Sequence, residues 1–189
     1  MKRFAVCVTV AITLVASVTA GIAEEEQGEE QEKKGTPVAL TIGVFFPSSS
    51  EVKDQFEDSW TVISLKAFDA EKPTAWRFTM ELGAHRLNGR TAEARLYPLT
   101  FGAQRALKEG NRLQPYVVLR AGPYLGTYED PTAGIDDRHV GLNANAALGL
   151  TINRNLYAEL RYDYFTDIAD QDFSGLSALI GVRLFDLPK

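Results

Sequence analysis

Ten charged residues stand out by position: Lys66, Arg77, Glu81, Glu93, Arg95, Arg120, Glu159, Arg161, Asp163 and Arg183. Each sits in a run where every second residue is apolar, so each falls on the opposite, polar face of its run. Both signs of charge are present, interleaved with glycine. If such a face is enclosed, its charges persist only as pairs, because an unpaired buried ion carries a large desolvation penalty. The expected chemistry is therefore electrostatic: a salt-bridged network filling an interior, with a narrow conducting path or gate as the alternative. No phosphate loop, zinc-ligand spacing or nucleophile elbow is present. No catalytic, cofactor-binding or metal-ligating residues are expected.

Two other groups could carry chemistry. His85 and His139 both fall near the ends of alternating runs. Arg86 follows His85, and no serine lies close in sequence, so both are expected as surface histidines. Acidic residues collect between runs: Glu51, Asp54, Glu57 and Asp58, then Glu129, Asp130, Asp136 and Asp137, then Asp167, Asp170 and Asp172. Hard divalent cations prefer such oxygen ligands, but the spacing is not that of an EF-hand. Solvated loops are the expectation.

The elements that position these residues are strands. At 156–164 the apolar set Leu156, Ala158, Leu160, Tyr162 and Tyr164 alternates with Tyr157, Glu159, Arg161 and Asp163. This strict period of two marks a strand with two unlike faces. The same pattern recurs at 38–46, 61–67, 76–84, 92–97, 116–122, 142–150 and 176–185, giving eight segments. In the fourth, Ala92, Ala94 and Leu96 form the apolar face and Glu93 and Arg95 the polar one. Pro98 should create a bulge or strand end there, with a restart over 99–103. Turns are expected at 69–74, 87–90, 108–111 and 153–155, a polar loop at 127–138, and one or two helical turns within 51–58.

The chain begins with Met1-Lys2-Arg3 and an uncharged apolar run, followed by small residues at Gly21-Ile22-Ala23. This reads as a secretory signal peptide over 1–23. Cys7, the only cysteine, lies inside it. Positions 24–37 form an acidic tail, too polar to fold alone. The chain has 189 residues and net charge −5, and loss of Lys2 and Arg3 makes it more acidic. Nucleic-acid binding is not expected.

Alternation alone does not say which face is inside. A secreted lipocalin-like barrel would bury the apolar face around an apolar ligand. Three features favour the reverse. The apolar faces are nearly uninterrupted, with Phe46, Trp76, Tyr162 and Tyr164 toward strand ends like an interfacial girdle. The polar faces combine charge with glycine, which suits a narrow filled interior. The chain closes on a strand rather than on the helix that a lipocalin adds, and it carries no Gly-x-Trp entry motif. Most of the segments are also about nine to eleven residues long, enough for a tilted strand to cross a bilayer. The mean hydropathy of −0.14 fits a chain in which only alternate residues meet lipid.

On these residues the chain is similar to small bacterial outer-membrane β-barrel proteins, the OmpA/OmpW-like class. The carriers are the signal peptide, the hairpin series and the closing run 174–185 (SGLSALIGVRLF), which resembles the aromatic-ended assembly signal of that class. Four residues follow Phe185, a departure from a terminal aromatic. The resemblance covers 38–185. It implies an all-β, antiparallel, up-and-down transmembrane barrel of eight strands in the Gram-negative outer membrane, with both termini periplasmic. The segments 47–59, 85–91, 127–138 and 166–173 would then face outward. The implied partners are outer-membrane lipid, lipopolysaccharide and the barrel-assembly machinery, with no cofactor. The expected role is porin-like in location but non-enzymatic: envelope integrity, binding or narrow-channel passage. Some small barrels edit lipid A with a histidine and a serine or acid near the outer rim, so a lipid-modifying enzyme is the alternative.

Overall fold

The structure is a computed structural model, and it describes residues 35–56, 60–68, 74–89, 92–108, 113–153 and 155–187. The chain divides into Met1–Lys33 and Lys34–Lys189, and all described residues belong to the second unit. The signal peptide, Cys7, the acidic tail before Gly35, and most of the turns at 69–74 and 108–111 lie outside the described residues.

Eight antiparallel strands close on themselves in sequence order: β1 (Thr36–Pro47), β2 (Trp60–Phe68), β3 (Arg77–Asn88), β4 (Glu93–Ala106), β5 (Gln114–Asp130), β6 (Ile135–Thr151), β7 (Leu156–Phe165) and β8 (Gly175–Leu187). Closure runs from Thr36 opposite Leu187 to Pro47 opposite Gly175, with one irregularity between Val38 and Ala39. A closed ladder leaves no free edge. Among the described residues one short helix, α1 (Ser50–Gln55), interrupts the pattern. Ser49 caps it by accepting from the Val52 N–H, with Glu51 in the first turn and Lys53 in the last. This is the helical stretch the sequence places within 51–58.

The apolar faces point outward along the middle of the barrel. Ile63, Leu65, Phe78, Met80, Leu82, Leu119, Leu142, Leu148, Leu160, Tyr162, Leu176 and Ile180 are all exposed. Between them Ser64, Lys66, Thr79, Glu81, Arg120, Asn145, Glu159, Arg161, Asp163 and Ser177 are buried. This is the inside-out arrangement of a transmembrane barrel, and the lipocalin-like alternative does not hold. The girdle residues Phe46, Trp76, Tyr162 and Tyr164 face out.

Three expectations need correction. The segment 127–138 is not a loop: β5 and β6 pair continuously from Gln114 opposite Thr151 to Asp130 opposite Ile135. The turn is confined to 131–134, where Gly134 has φ +70° and Asp130 Oδ1 accepts from the Thr132 N–H and hydroxyl at 3.0 and 2.6 Å. Likewise β3 runs on to Asn88. Pro98 ends nothing: β4 continues through it, and its register to β3 is the same at Leu96 and Leu99. Its ring faces inward over Gly83, whose missing side chain leaves the space.

Candidate functional site: a layered interior and a charged rim

The interior has three layers. At the end where β1 begins and β8 ends, Tyr116 of β5 and Tyr157 of β7 meet edge to face at 6.4 Å among Ala39, Val118 and Ala147. Glycine makes this possible. A Cβ at Gly149 would stand 2.0 Å from Tyr116 Cζ, and one at Gly181 would stand 2.0 Å from Tyr157 Cζ. The Tyr157 hydroxyl and Thr41 Oγ1 are 2.6 Å apart, and Tyr116 donates to Glu159 Oε2 at 3.1 Å.

In the middle, six charges of alternating sign form one chain. Lys66 Nζ lies 2.6 Å from Glu159 Oε2. Glu159 Oε1 is 3.3 Å from Arg120 Nη2, which is 2.7 Å from Glu81 Oε2. The other Glu81 oxygen meets Arg161 Nη1, and Arg161 Nε donates to Asp163 Oδ2 at 2.8 Å. The three cations balance the three anions. The remaining valences are partly met by neutral groups. Asn145 Oδ1 accepts from Arg120 Nε at 3.1 Å, and Ser177 donates to Asp163 Oδ2 at 3.0 Å. Lys66 also lies over the rings of Tyr116 and Tyr157, 5.1 and 5.3 Å from their centres, which ties this layer to the one beneath. The alternation of strands explains the convergence: β2, β3, β5 and β7 each place one to three charges on their inner face.

Toward the loop end the interior becomes apolar. Phe45 stacks on Trp60 at 5.0 Å, and Phe56, Tyr128 and Phe173 surround them. Val62, Leu87, Ala94, Leu96, Tyr124 and Phe165 complete the cluster from the strands. Two connections close over it. Helix α1 supplies Val52 and leads into Phe56, and Tyr128 donates to Gln55 Oε1 at 3.0 Å. The β7–β8 connection turns Ile168 and Phe173 inward, held by Phe165 N–H to Ser174 Oγ at 3.1 Å and Ser174 N–H to Asp172 Oδ1 at 2.8 Å.

Of the ten charges singled out in the sequence, six form the central chain. The other four lie elsewhere. Arg77, the first residue of β3, is on its inner face at the end of the barrel where β1 begins, half-buried. Arg183, at the same end, pairs with Asp186 rather than with the central chain. Glu93 and Arg95 correct the sequence reading, because both point outward. Glu93 Oε1 accepts from Arg95 at 2.9 Å and lies 3.3 Å from Arg86 Nη2. The apolar alternates Ala92, Ala94 and Leu96 are the buried ones. The reason is location: this part of β4 lies beside the aromatic cluster, where the interior is apolar and the exterior is not.

His85 is a second correction. It is not at the surface but inside β3, buried, edge-on to Phe45 and Phe165 at 5.3 and 5.4 Å. Among the described residues, neither ring nitrogen has a hydrogen-bond partner. It marks the boundary between the charged chain and the aromatic cluster. Its parity with Glu81 on β3 was the signal available for this. His139 packs against Tyr124 at 6.1 Å. Among the described residues, no three His, Cys, Asp or Glu side chains are grouped to hold a metal ion. The aromatic cluster itself was missed, because its contributors come from seven strands and two connections with no shared sequence signal.

A closed eight-stranded barrel with hydrocarbon-like exterior and charged core has the fold of outer-membrane barrel proteins. No known family matches the sequence, and no curated protein matches it. Among solved structures, the barrel is similar to Neisserial surface protein A, with TM-score 0.54, 18% identity, and coverage of 79% of this chain and 96% of that one. It is also similar to Ail, the attachment invasion locus protein of Yersinia pestis (TM-score 0.53, 13% identity, 80% and 99% covered). The N-terminal barrel domain of Pseudomonas aeruginosa OprF gives TM-score 0.51 at 13% identity, with 80% and 98% covered. At these identities the likeness is one of fold.

Proposed function

We propose that the protein is an integral outer-membrane barrel, exported by a cleaved signal peptide, that acts without catalysis and without conducting solutes. Its termini face the periplasm, and the end carrying α1 and the β5–β6 turn faces outward. It works through its exterior and outer end, in envelope integrity or binding. The barrel-assembly machinery and outer-membrane lipid are its partners. The observation that carries this reading is the sealed interior: a tyrosine layer, a charge-balanced chain and an aromatic cluster follow one another with the two loop-end connections folded in. An eight-stranded barrel is only just wide enough for its own side chains, and here they are paired or packed. Narrow passage is therefore the weaker function. His85, enclosed by Phe45 and Phe165, faces neither lipid nor solvent, which disfavours lipid editing.

Three measurements test this. Fractionation should recover the protein with the outer membrane, and it should migrate differently on gels before and after boiling. The purified protein in planar bilayers should give no stepwise conductance. Release as a soluble periplasmic protein, or discrete ohmic steps that disappear when Arg161 is replaced, would overturn the reading.

A further inference from the structure

On the exterior of β3–β6, apolar side chains give way to charge along one line of strand pairing. Ala84, Tyr97, Leu125 and Val140 are the last apolar exterior residues on their strands. Two residues further along, Arg86 stands opposite Arg95, Arg95 opposite Thr127, and Thr127 opposite Arg138. Two further again, Asn88 stands opposite Glu93, Glu93 opposite Glu129, and Glu129 opposite Asp136. A basic row is thus followed by an acidic row, directly beyond the apolar surface.

The basic row has the geometry of an anion clamp. Strands lie about 4.8 Å apart, so Arg95 and Arg138 are rooted about 10 Å apart on either side of the Thr127 hydroxyl. Glu93 occupies Arg95 through one oxygen only, facing Nε and Nη2. A guanidinium has five N–H donors, so most of that fork stays open. Arg138 has no ion pair among the described residues and is exposed. Planar forks suit phosphate oxygens.

The same strands carry a groove nearer the middle of the barrel. Ala121 of β5 and Ala144 and Ala146 of β6 form its floor, between Phe101 and Leu119 on one side and Tyr162 on the other. Its volume is about 480 Å³. From Thr127 to Ala121 is six residues, about 20 Å of strand at about 3.4 Å per residue. With a tilt of about 45°, that is about 14 Å of depth, close to half of a hydrocarbon core about 30 Å thick. The groove lies where an acyl chain of one leaflet ends when its headgroup sits at the basic row.

We propose that the exterior of β4–β6 binds one phosphorylated glycolipid of the outer leaflet. Its phosphate lies over Thr127 between Arg95 and Arg138, and an acyl chain lies along β5 and β6 into the alanine groove. The acidic row selects a sugar headgroup. Glu129 and Asp136 face each other directly, an unfavourable arrangement for like charges, and neither has an ion pair among the described residues. Sugar hydroxyls above the phosphate donate to Glu93, Glu129 and Asp136 on three successive strands, whereas a single ethanolamine ammonium reaches at most two neighbouring carboxylates. This inference rests on the loop end facing outward, as proposed above.

The test is native mass spectrometry of the full protein refolded in detergent, with lipid A or phosphatidylethanolamine added at equal concentration. Barrel closure of each variant is checked first by its migration before boiling. Wild type should retain lipid A and show little phosphatidylethanolamine. Arg95→Gln with Arg138→Gln should lower lipid A retention at least about tenfold, as expected when two charge-assisted contacts are lost. Ala144→Trp, which fills the groove, should lower it too, and Ala146→Leu serves the same arm if the tryptophan blocks closure. Equal retention of phosphatidylethanolamine, or undiminished lipid A binding by the double arginine variant, overturns the proposal. Undiminished binding by a closed groove-filled variant overturns it as well. Conductance and fractionation do not depend on this result, so failure here is distinguishable from failure of the sealed-barrel reading.

Discussion

The middle of this barrel and its loop end obey opposite rules. At Leu160 and Arg161 the apolar residue faces out and the charge faces in. At Leu96 and Arg95, on a strand of the same barrel, the apolar residue faces in and the charge faces out. Backbone geometry is the same in both places, since alternation is a property of the strand. What differs is the medium outside. Where the exterior meets hydrocarbon, exposure of an apolar side chain costs nothing and a charge is driven inward to find a partner. Where the exterior meets polar groups, the hydrophobic effect regains its usual direction, and the interior fills with Phe45, Trp60, Phe56 and Phe173 as a soluble core would. The line between Val140 and Arg138 on β6, and between Tyr97 and Arg95 on β4, is where one rule replaces the other.

The sharpest way to break this comparison is at the central chain. Arg161→Leu removes the cation between Glu81 and Asp163. Breaking a buried pair by deleting one partner costs about 3–5 kcal/mol, because the other charge stays buried. Adding Asp163→Leu should recover part of that loss, since Glu81 keeps Arg120 at 2.7 Å. A double-mutant cycle by unfolding in detergent or vesicles measures the coupling. If Arg161→Leu is neutral, the charges do not hold the middle of the barrel together.

A second comparison puts one new arginine on the exterior in each region. Leu160→Arg faces hydrocarbon and should cost about 2–4 kcal/mol, whereas Asn88→Arg, beyond the apolar line and opposite Glu93, should cost about 0–1 kcal/mol, as basic residues do near the interface. Both are read from the shift in unfolding midpoint in lipid vesicles. Equal penalties would mean that the line of charge on β3–β6 is not the edge of the apolar environment.

The same contrast explains what the sequence made legible. Strand number and the separation of Leu142, Leu160 and Leu176 from the charged face follow from strict alternation, which needs no tertiary knowledge; their outward direction follows from the uninterrupted apolar faces, the aromatics toward strand ends, and the charge and glycine on the opposite face. Six charges of the central chain were legible for the same reason: on β2, β3, β5 and β7 they alternate with residues that face lipid. Glu93 and Arg95 alternate just as strictly, yet the inference fails there, because a period of two fixes the faces and not which medium each one meets. His85 was misplaced by treating a strand end as a surface. β3 continues past it, and its odd positions stay inside from Thr79 to Leu87. The length of β5 and β6 was hidden by polar composition. The segment 127–138 looks like a loop because its exterior residues, Thr127, Glu129, Asp136 and Arg138, are polar on a strand that no longer faces hydrocarbon.

The gentlest test compares two glutamates that each touch two arginines. Glu81 is buried between Arg120 and Arg161, and Glu93 is partly exposed between Arg86 and Arg95. In water the Coulomb gain of an ion pair is small and is offset by the entropy of holding long side chains still. Salt weakens it further, with a screening length of about 8 Å at physiological ionic strength. Inside the barrel the Glu81, Arg120 and Arg161 side chains are at most 5% exposed, so screening by salt should be weak. Glu93→Gln should therefore leave the unfolding midpoint unchanged within error at physiological salt, with any shift confined to low salt. Glu81→Gln should lower the midpoint clearly and by the same amount at low and high salt, because two guanidinium groups lose their shared anion where no counter-ion can replace it. A salt-dependent loss at Glu81 would mean that ions enter the central layer. The interior would then be open to solution, and the rule that separates the two regions would not describe this barrel.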